Sequence, residues 1–203
     1  IDPALIGSAI HQAWLRKRAQ LRWGQSTDFI LTTDGLAQAT RPEVSKMHAG
    51  IVTAHFGEKA HIVDLTCGLG FDALAFAQAG HRVTAIEFDP EIAQIAEFNL
   101  RNHDVEVICA DATTFSTPAD TTLIYVDPAR RDPRGAKTST GETKRVTNPE
   151  QWSPKWSYVQ SLAHNYPVMA KVAPGVDDET IGNWCAGFIS VNGDLVEGLL
   201  TSF

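Results

Sequence analysis

Four apolar runs in this 203-residue chain each end on a polar residue, and those ends carry the residue types that could do chemistry. The run Ile62-Val63 ends at Asp64 and passes into Leu65-Thr66-Cys67-Gly68-Leu69-Gly70. Glycines between a strand and a helix let the backbone approach a ligand closely and begin the next helix. Val83-Thr84-Ala85-Ile86 ends at Glu87, whose carboxylate could accept hydrogen bonds from both hydroxyls of a ribose. Phe88, beside it, could pack on a ring face. Val105–Cys109 is followed by Asp111-Ala112, where an acid can reach the exocyclic amine of an adenine ring. Leu123-Ile124-Tyr125-Val126 ends at Asp127-Pro128-Ala129-Arg130. One such acid alone could simply cap the turn that follows it. Four in order imply a nucleotide-type ligand.

These ends are useful only if the fold gathers them, and the pattern between them says how. From residue 61 onward, strands alternate with helices. The strands are 61–65, 82–87, 105–109, 122–126 and 167–172. Helices fall over 71–79, stopped by Gly80, over a segment opened by Asp89 as cap with Pro90 in its first turn, and near 157–164. The segment 187–200 reads as a hairpin around Asn192-Gly193. Alternation of this kind gives a mainly parallel α/β sheet, and the hairpin adds an antiparallel edge. Right-handed crossovers bring the strand C-termini to one edge, where ligands bind. Ahead of this lie two amphipathic helices, Pro3–Trp23 stopped by Gly24 and Pro42–Phe56 with Thr40 as a cap, separated by an irregular stretch over 29–35. The expected division is an N-terminal helical extension, 1–58, and a ligand-binding domain, 59–203.

Bulk properties exclude some classes. The hydrophobic fraction of 43% and charged fraction of 20% are those of an ordinary globular domain. No apolar run approaches the roughly 20 residues a membrane helix needs. Cys67, Cys109 and Cys185 are odd in number, far apart and without CxxC spacing, which fits reduced thiols and a cytoplasmic setting. The seven histidines show no metal-ligand spacing, so no metal is expected. The net charge of −7 argues against a protein that is basic all over.

The stretch Asp64-Leu65-Thr66-Cys67-Gly68-Leu69-Gly70, with Glu87 and Asp111, resembles the first motifs of the class I S-adenosylmethionine methyltransferases. The resemblance runs from about residue 62 to 200 and implies a Rossmann-like sheet. It places the methionine end of S-adenosyl-L-methionine on Asp64 and the loop Thr66, Cys67, Gly68 and Gly70. It puts the ribose on Glu87 and the adenine on Asp111 and Ala112, with Phe88 alongside. Thr66 stands where the family pattern has its first glycine. Asp127-Pro128 resembles the Asp-Pro-Pro-aromatic motif of enzymes that methylate exocyclic amines on bases. There the carboxylate and the proline carbonyl accept hydrogen bonds from the target amine. Ala129 and Arg130 replace the second proline and the aromatic residue. Asp127, Pro128 and Arg130 are thus the candidate catalytic residues. Uracil C5 methyltransferases need a nucleophilic cysteine after the next strand, and the segment there, Lys171-Val172-Ala173-Pro174-Gly175, holds none, so that chemistry is rejected. That segment, with residues 127–132, is similar to a bacterial group of methyltransferases carrying a THUMP-like, RNA-binding domain.

After the motif, residues 130–145 hold Arg130, Arg131, Arg134, Lys137, Lys144 and Arg145 against Asp132 and Glu142. A basic loop beside a reaction centre could hold a phosphate backbone. Trp152 and Trp156 could stack on bases or cover the core. Arg16-Lys17-Arg18 with Arg22 could extend the same surface. The expected partner is RNA, and the expected reaction is N-methylation of a base. A small-molecule or protein acceptor, a nicotinamide oxidoreductase reading Gly68-Leu69-Gly70-Phe71-Asp72-Ala73 as a dinucleotide fingerprint, and a non-catalytic binding module remain open.

Overall fold

The computed structural model describes residues 2–24, 27–130 and 146–203. Seven strands form one sheet: β1 (His61–Asp64), β2 (Arg82–Glu87), β3 (Val105–Cys109), β4 (Leu123–Val126), β5 (Val168–Val172), β6 (Cys185–Val191) and β7 (Asp194–Thr201). Their order is β3-β2-β1-β4-β5-β7-β6. β2 pairs with β3, β1 with β4, and β4 with β5 in parallel, whereas β7 runs antiparallel to both β5 and β6. This is the mainly parallel sheet with an antiparallel C-terminal hairpin that the alternation implies. The chain divides into two compact units, residues up to 60 with 67–110, and 61–66 with 111–203.

In the first unit, α1 (Pro3–Trp23) starts on Asp2, whose side chain accepts the Ala4 N–H, and stops at Gly24 in the left-handed region. Arg16 donates to the Phe29 and Asp28 carbonyls, and Arg22 to the Leu36 carbonyl at 2.7 Å. These two members of the basic run therefore hold the backbone that follows α1, a structural use that the sequence did not show. Part of the stretch expected to be irregular is a helix, α2 (Thr33–Gln38), capped by the Thr32 hydroxyl accepting the Gly35 N–H. A six-residue helix is too short to show a period in the sequence. α3 (Pro42–Phe56) lies where expected, but Thr40 does not cap it. Arg41 occupies the cap position without a side-chain bond, and the Thr40 hydroxyl donates instead to Asp72. α4 (Phe71–Gln78) and α5 (Pro90–Leu100) complete this unit with β2 and β3.

In the second unit β1, β4 and β5 are buried along their whole length, as central parallel strands should be. Trp152 and Trp156 are 5% and 3% exposed, and their indole N–H groups donate to the Val146 and Thr180 carbonyls. They cover the core, so the base-stacking role is ruled out by burial. α6 (Trp156–Leu162) begins at the second of them, and the short α7 (Asp178–Ile181) follows β5. Asn192 and Gly193, with φ of 53° and 87°, make the hairpin turn, and its strands extend further than the sequence suggests.

His81 gives the first unit a pH dependence. Its Nδ1 accepts the Ala60 N–H at 3.2 Å, which leaves Nε2–H to donate to the Thr53 hydroxyl at 2.9 Å. Burial holds its pKa below the ordinary value, more than the nearby Ala49 carbonyl raises it. The folded state thus favours neutral imidazole. Its contribution is complete above the unfolded pKa of about 6.5 and is lost as pH falls through the lower folded value. The denaturant midpoint is expected to drop between pH 7 and 5, and less steeply in His81→Gln. Equal slopes in the two proteins would refute this role for His81.

Candidate active site

The glycine loop is built by strain that only glycine relieves. Gly70, the residue before α4, has φ of 94°, and a Cβ there would sit 2.7 Å from Leu100 Cδ1. Gly68 has φ of 55°, but nothing lies within 4 Å of where its Cβ would be. The first glycine seats the loop against α5, and the second leaves an open face for something else to approach. The loop is also stitched to β2. The Cys67 N–H donates to the Ile86 carbonyl at 2.9 Å, and the Gly68 N–H donates to Glu87 Oε2 at 2.9 Å. Glu87 Oε1 accepts the Asp89 N–H, so each oxygen of this carboxylate has one backbone partner and further lone pairs to offer. Phe88 is 72% exposed and its ring is presented to solvent.

The N-terminal segment reaches this loop. Asn99, buried on α5, accepts the Ile30 N–H and donates to both the Ile30 and Leu69 carbonyls. His48 Nδ1 lies 3.0 Å from Asp72 Oδ1, and with Thr40 this buried cluster ties α3 to the first turn of α4. None of these partners was evident from spacing, because each bridges 24 or more positions of sequence.

In the second unit the residues after β1 and β4 meet. Asp64 Oδ1 accepts the Thr66 N–H at 3.0 Å, closing a local turn. The Thr66 hydroxyl accepts the Asp127 N–H at 2.7 Å. The side chain that departs from the family's glycine is therefore the acceptor that fixes the end of β4. The Asp127 carboxylate pairs through Oδ2 with Lys171 Nζ at 2.5 Å, and its Oδ1 makes no hydrogen bond among the described residues. Pro128 is buried beside it. Asp111 Oδ1 accepts the N–H and hydroxyl of Thr113, and the side-chain bond, then the backbone bond, hold its pKa below the ordinary carboxylate value. The Tyr158 hydroxyl donates to the Ala112 carbonyl at 2.7 Å. Lys171 and Tyr158 contact the candidate residues Asp127 and Ala112, and motif reading assigned neither of them a role. A lone lysine inside the apolar run of β5 was the available signal for the first.

Arg130 is half-buried, and its carbonyl accepts the Val146 N–H at 2.7 Å. Ala129 exchanges two backbone bonds with Ser153. The rest of the expected basic loop, Arg131, Arg134, Lys137, Lys144 and Arg145, lies outside the described residues.

Thr66→Val, which keeps the shape and deletes the acceptor, is expected to cost about 1 kcal/mol, the net worth of one hydrogen bond, because the Asp127 N–H is only part-buried. Thr66→Ser should restore most of it. Chemical denaturation measures both, and a Thr66→Val protein as stable as the parent would contradict the assignment.

Residues 62–150 match the family described as a methyltransferase domain. A Porphyromonas gingivalis W83 protein assigned as a methyltransferase superposes with a TM-score of 0.74 at 23% identity, over 99% of this chain and 51% of that one. The chain thus spans about half the length of that protein. The T. thermophilus 16S rRNA N2 G1207 methyltransferase, solved with AdoMet and guanosine, gives a TM-score of 0.52 at 14% identity, over 84% of this chain and 43% of that one. The magnesium protoporphyrin IX methyltransferase from Synechocystis PCC 6803, solved with SAM, gives 0.57 at 12% identity over 99% of both chains. Residues 62–150 thus resemble a methyltransferase domain, and the strand order and these superpositions show that the chain has the Rossmann-like fold of such enzymes.

Proposed function

We propose that this chain transfers a methyl group from S-adenosyl-L-methionine to a nitrogen of an RNA base. The observation that carries the proposal is Asp127: a strand-end carboxylate fixed at its backbone and at Oδ2, with Oδ1 left as an acceptor. A base amine can donate to that oxygen and to the Pro128 carbonyl. The two acceptors orient the nitrogen lone pair, and in-line displacement depends on alignment more than on acid–base power. The open face at Gly68 and the spare lone pairs of Glu87 suit a bound nucleoside. We assign Asp64, Thr66, Cys67, Gly68 and Gly70 to the methionine side, Glu87 to the ribose, and Asp111, Ala112 and Phe88 to the adenine. When bound, the cofactor supplies an electrophilic methyl carbon on a sulfonium.

RNA is supported by four features. Asp127-Pro128 resembles part of the motif of base-amine enzymes, with Ala129 and Arg130 departing from it, and residues 127–132 with 171–175 resemble the THUMP-associated group. The stretch from Arg130 to Arg145 is basic in a chain of net charge −7. The T. thermophilus neighbour acts on rRNA, although the fold also serves the porphyrin enzyme.

Two measurements test the reading. Calorimetric titration should show binding of S-adenosylhomocysteine and not of NAD, weakened about tenfold to a hundredfold by Glu87→Ala, the worth of one charge-assisted hydrogen bond. Tritium transfer from labelled cofactor to transcribed rRNA and tRNA should give a methylated base amine on nucleoside analysis. Asp127→Asn should lower that rate on the order of 100-fold through misalignment. Binding of NAD alone would sink the methyltransferase reading. Transfer to protein or small amines, with none to RNA, would overturn the acceptor.

A further inference from the structure

We infer that Lys171 is a positioning residue for acceptor methylation, setting the direction of the Asp127 carboxylate and offsetting its charge; this rests on the function proposed above. β5 is buried from end to end, and Lys171 is the one charged residue in it. An ammonium in such a strand is costly to desolvate and persists only where a partner of opposite charge offsets that cost. Register fixes Asp127 as one such partner. Ile124 stands opposite Val168, Tyr125 opposite Met169 and Val126 opposite Ala170, so the next step of the parallel ladder brings Asp127 to Lys171. The lysine side chain is 10% exposed and that of Asp127 is 29%, so the pair is drier on the lysine side and open on the carboxylate side.

Two consequences follow from chemistry. With Oδ2 held by Lys171 and the backbone N–H held by Thr66, the carboxylate has one orientation, and Oδ1 is the oxygen presented to an acceptor. An isolated carboxylate would attract a cationic aliphatic ammonium, whose nitrogen has no lone pair to methylate. The ammonium of Lys171 at Oδ2 offsets that attraction, and so favours a neutral N–H donor such as the exocyclic amine of a base.

The test uses the whole chain with Lys171→Met and Lys171→Arg. Asp127 is partly solvated, so the methionine variant should fold and bind S-adenosylhomocysteine within twofold of the parent. With transcribed rRNA and tRNA, Lys171→Met should lose at least 30-fold in kcat with less than threefold change in KM, and Lys171→Arg should recover at least a third of the parental kcat. Crystal structures with S-adenosylhomocysteine supply a readout independent of any acceptor. The Asp127 carboxylate should leave its position in the methionine variant and keep it in the arginine variant. An unmoved carboxylate in Lys171→Met, or a kcat within threefold of the parent, would overturn the role of Lys171 while leaving the methyltransferase reading intact. A parent chain inactive on RNA would defeat the acceptor reading instead, and the carboxylate position would still decide the positioning claim.

Discussion

A strand buried on both faces has room for charge in two places only, at its end or against an opposite charge. The second unit obeys this constraint throughout. Ile62-Val63 of β1 and the whole of β4 are uncharged; Asp64 is the last residue of β1, and Asp127 is the first residue after β4. β5 makes the exception with Lys171, and the exception is legal because the ladder delivers a carboxylate to it. Burial that stabilises the sheet therefore also decides where reactive groups can be. Removing a charge from water is so expensive that the pair is defined by geometry as much as by sequence.

The first unit solves a different problem, which is holding a loop of left-handed glycines in one shape. Glycine loses more backbone freedom on folding than any other residue, so such a loop needs external ties. β2 supplies two through Cys67 and Gly68, and α5 supplies Asn99 on the Leu69 carbonyl. The helices ahead of the sheet join in, because Asn99 also pairs with Ile30, and a Cβ on Gly35 of α2 would collide with Leu69. The N-terminal segment is part of what shapes the loop.

Local patterns made most of the architecture legible. The apolar strand runs, the Asp89-Pro90 cap, Gly24, and Asn192-Gly193 each carry their physical cause within a few residues, and all are found where that cause puts them. What was illegible depends on distant partners. Thr40 has the chemistry of a cap but finds Asp72 instead, and Trp152 and Trp156 look like stacking platforms until burial removes them. Arg16 and Arg22 read as surface charge, yet each neutral carbonyl they reach lies 12 or more positions away. The same is true at the candidate site. The acids were visible as strand ends, whereas the hydroxyl of Thr66 and the ammonium of Lys171 took on meaning only when register set them beside Asp127.

The backbone bonds of Ala129 to Ser153 and of Arg130 to Val146 have a consequence for how such a domain can diversify. They join the two flanks of residues 131–145 immediately downstream of the motif, with Trp152 bracing the far flank through the Val146 carbonyl. Every one of these bonds uses main-chain donors or acceptors, so none depends on which side chain stands at Ala129, Arg130, Val146 or Ser153. Those four positions can therefore exchange side chains while the end of β4 stays where its backbone is tied.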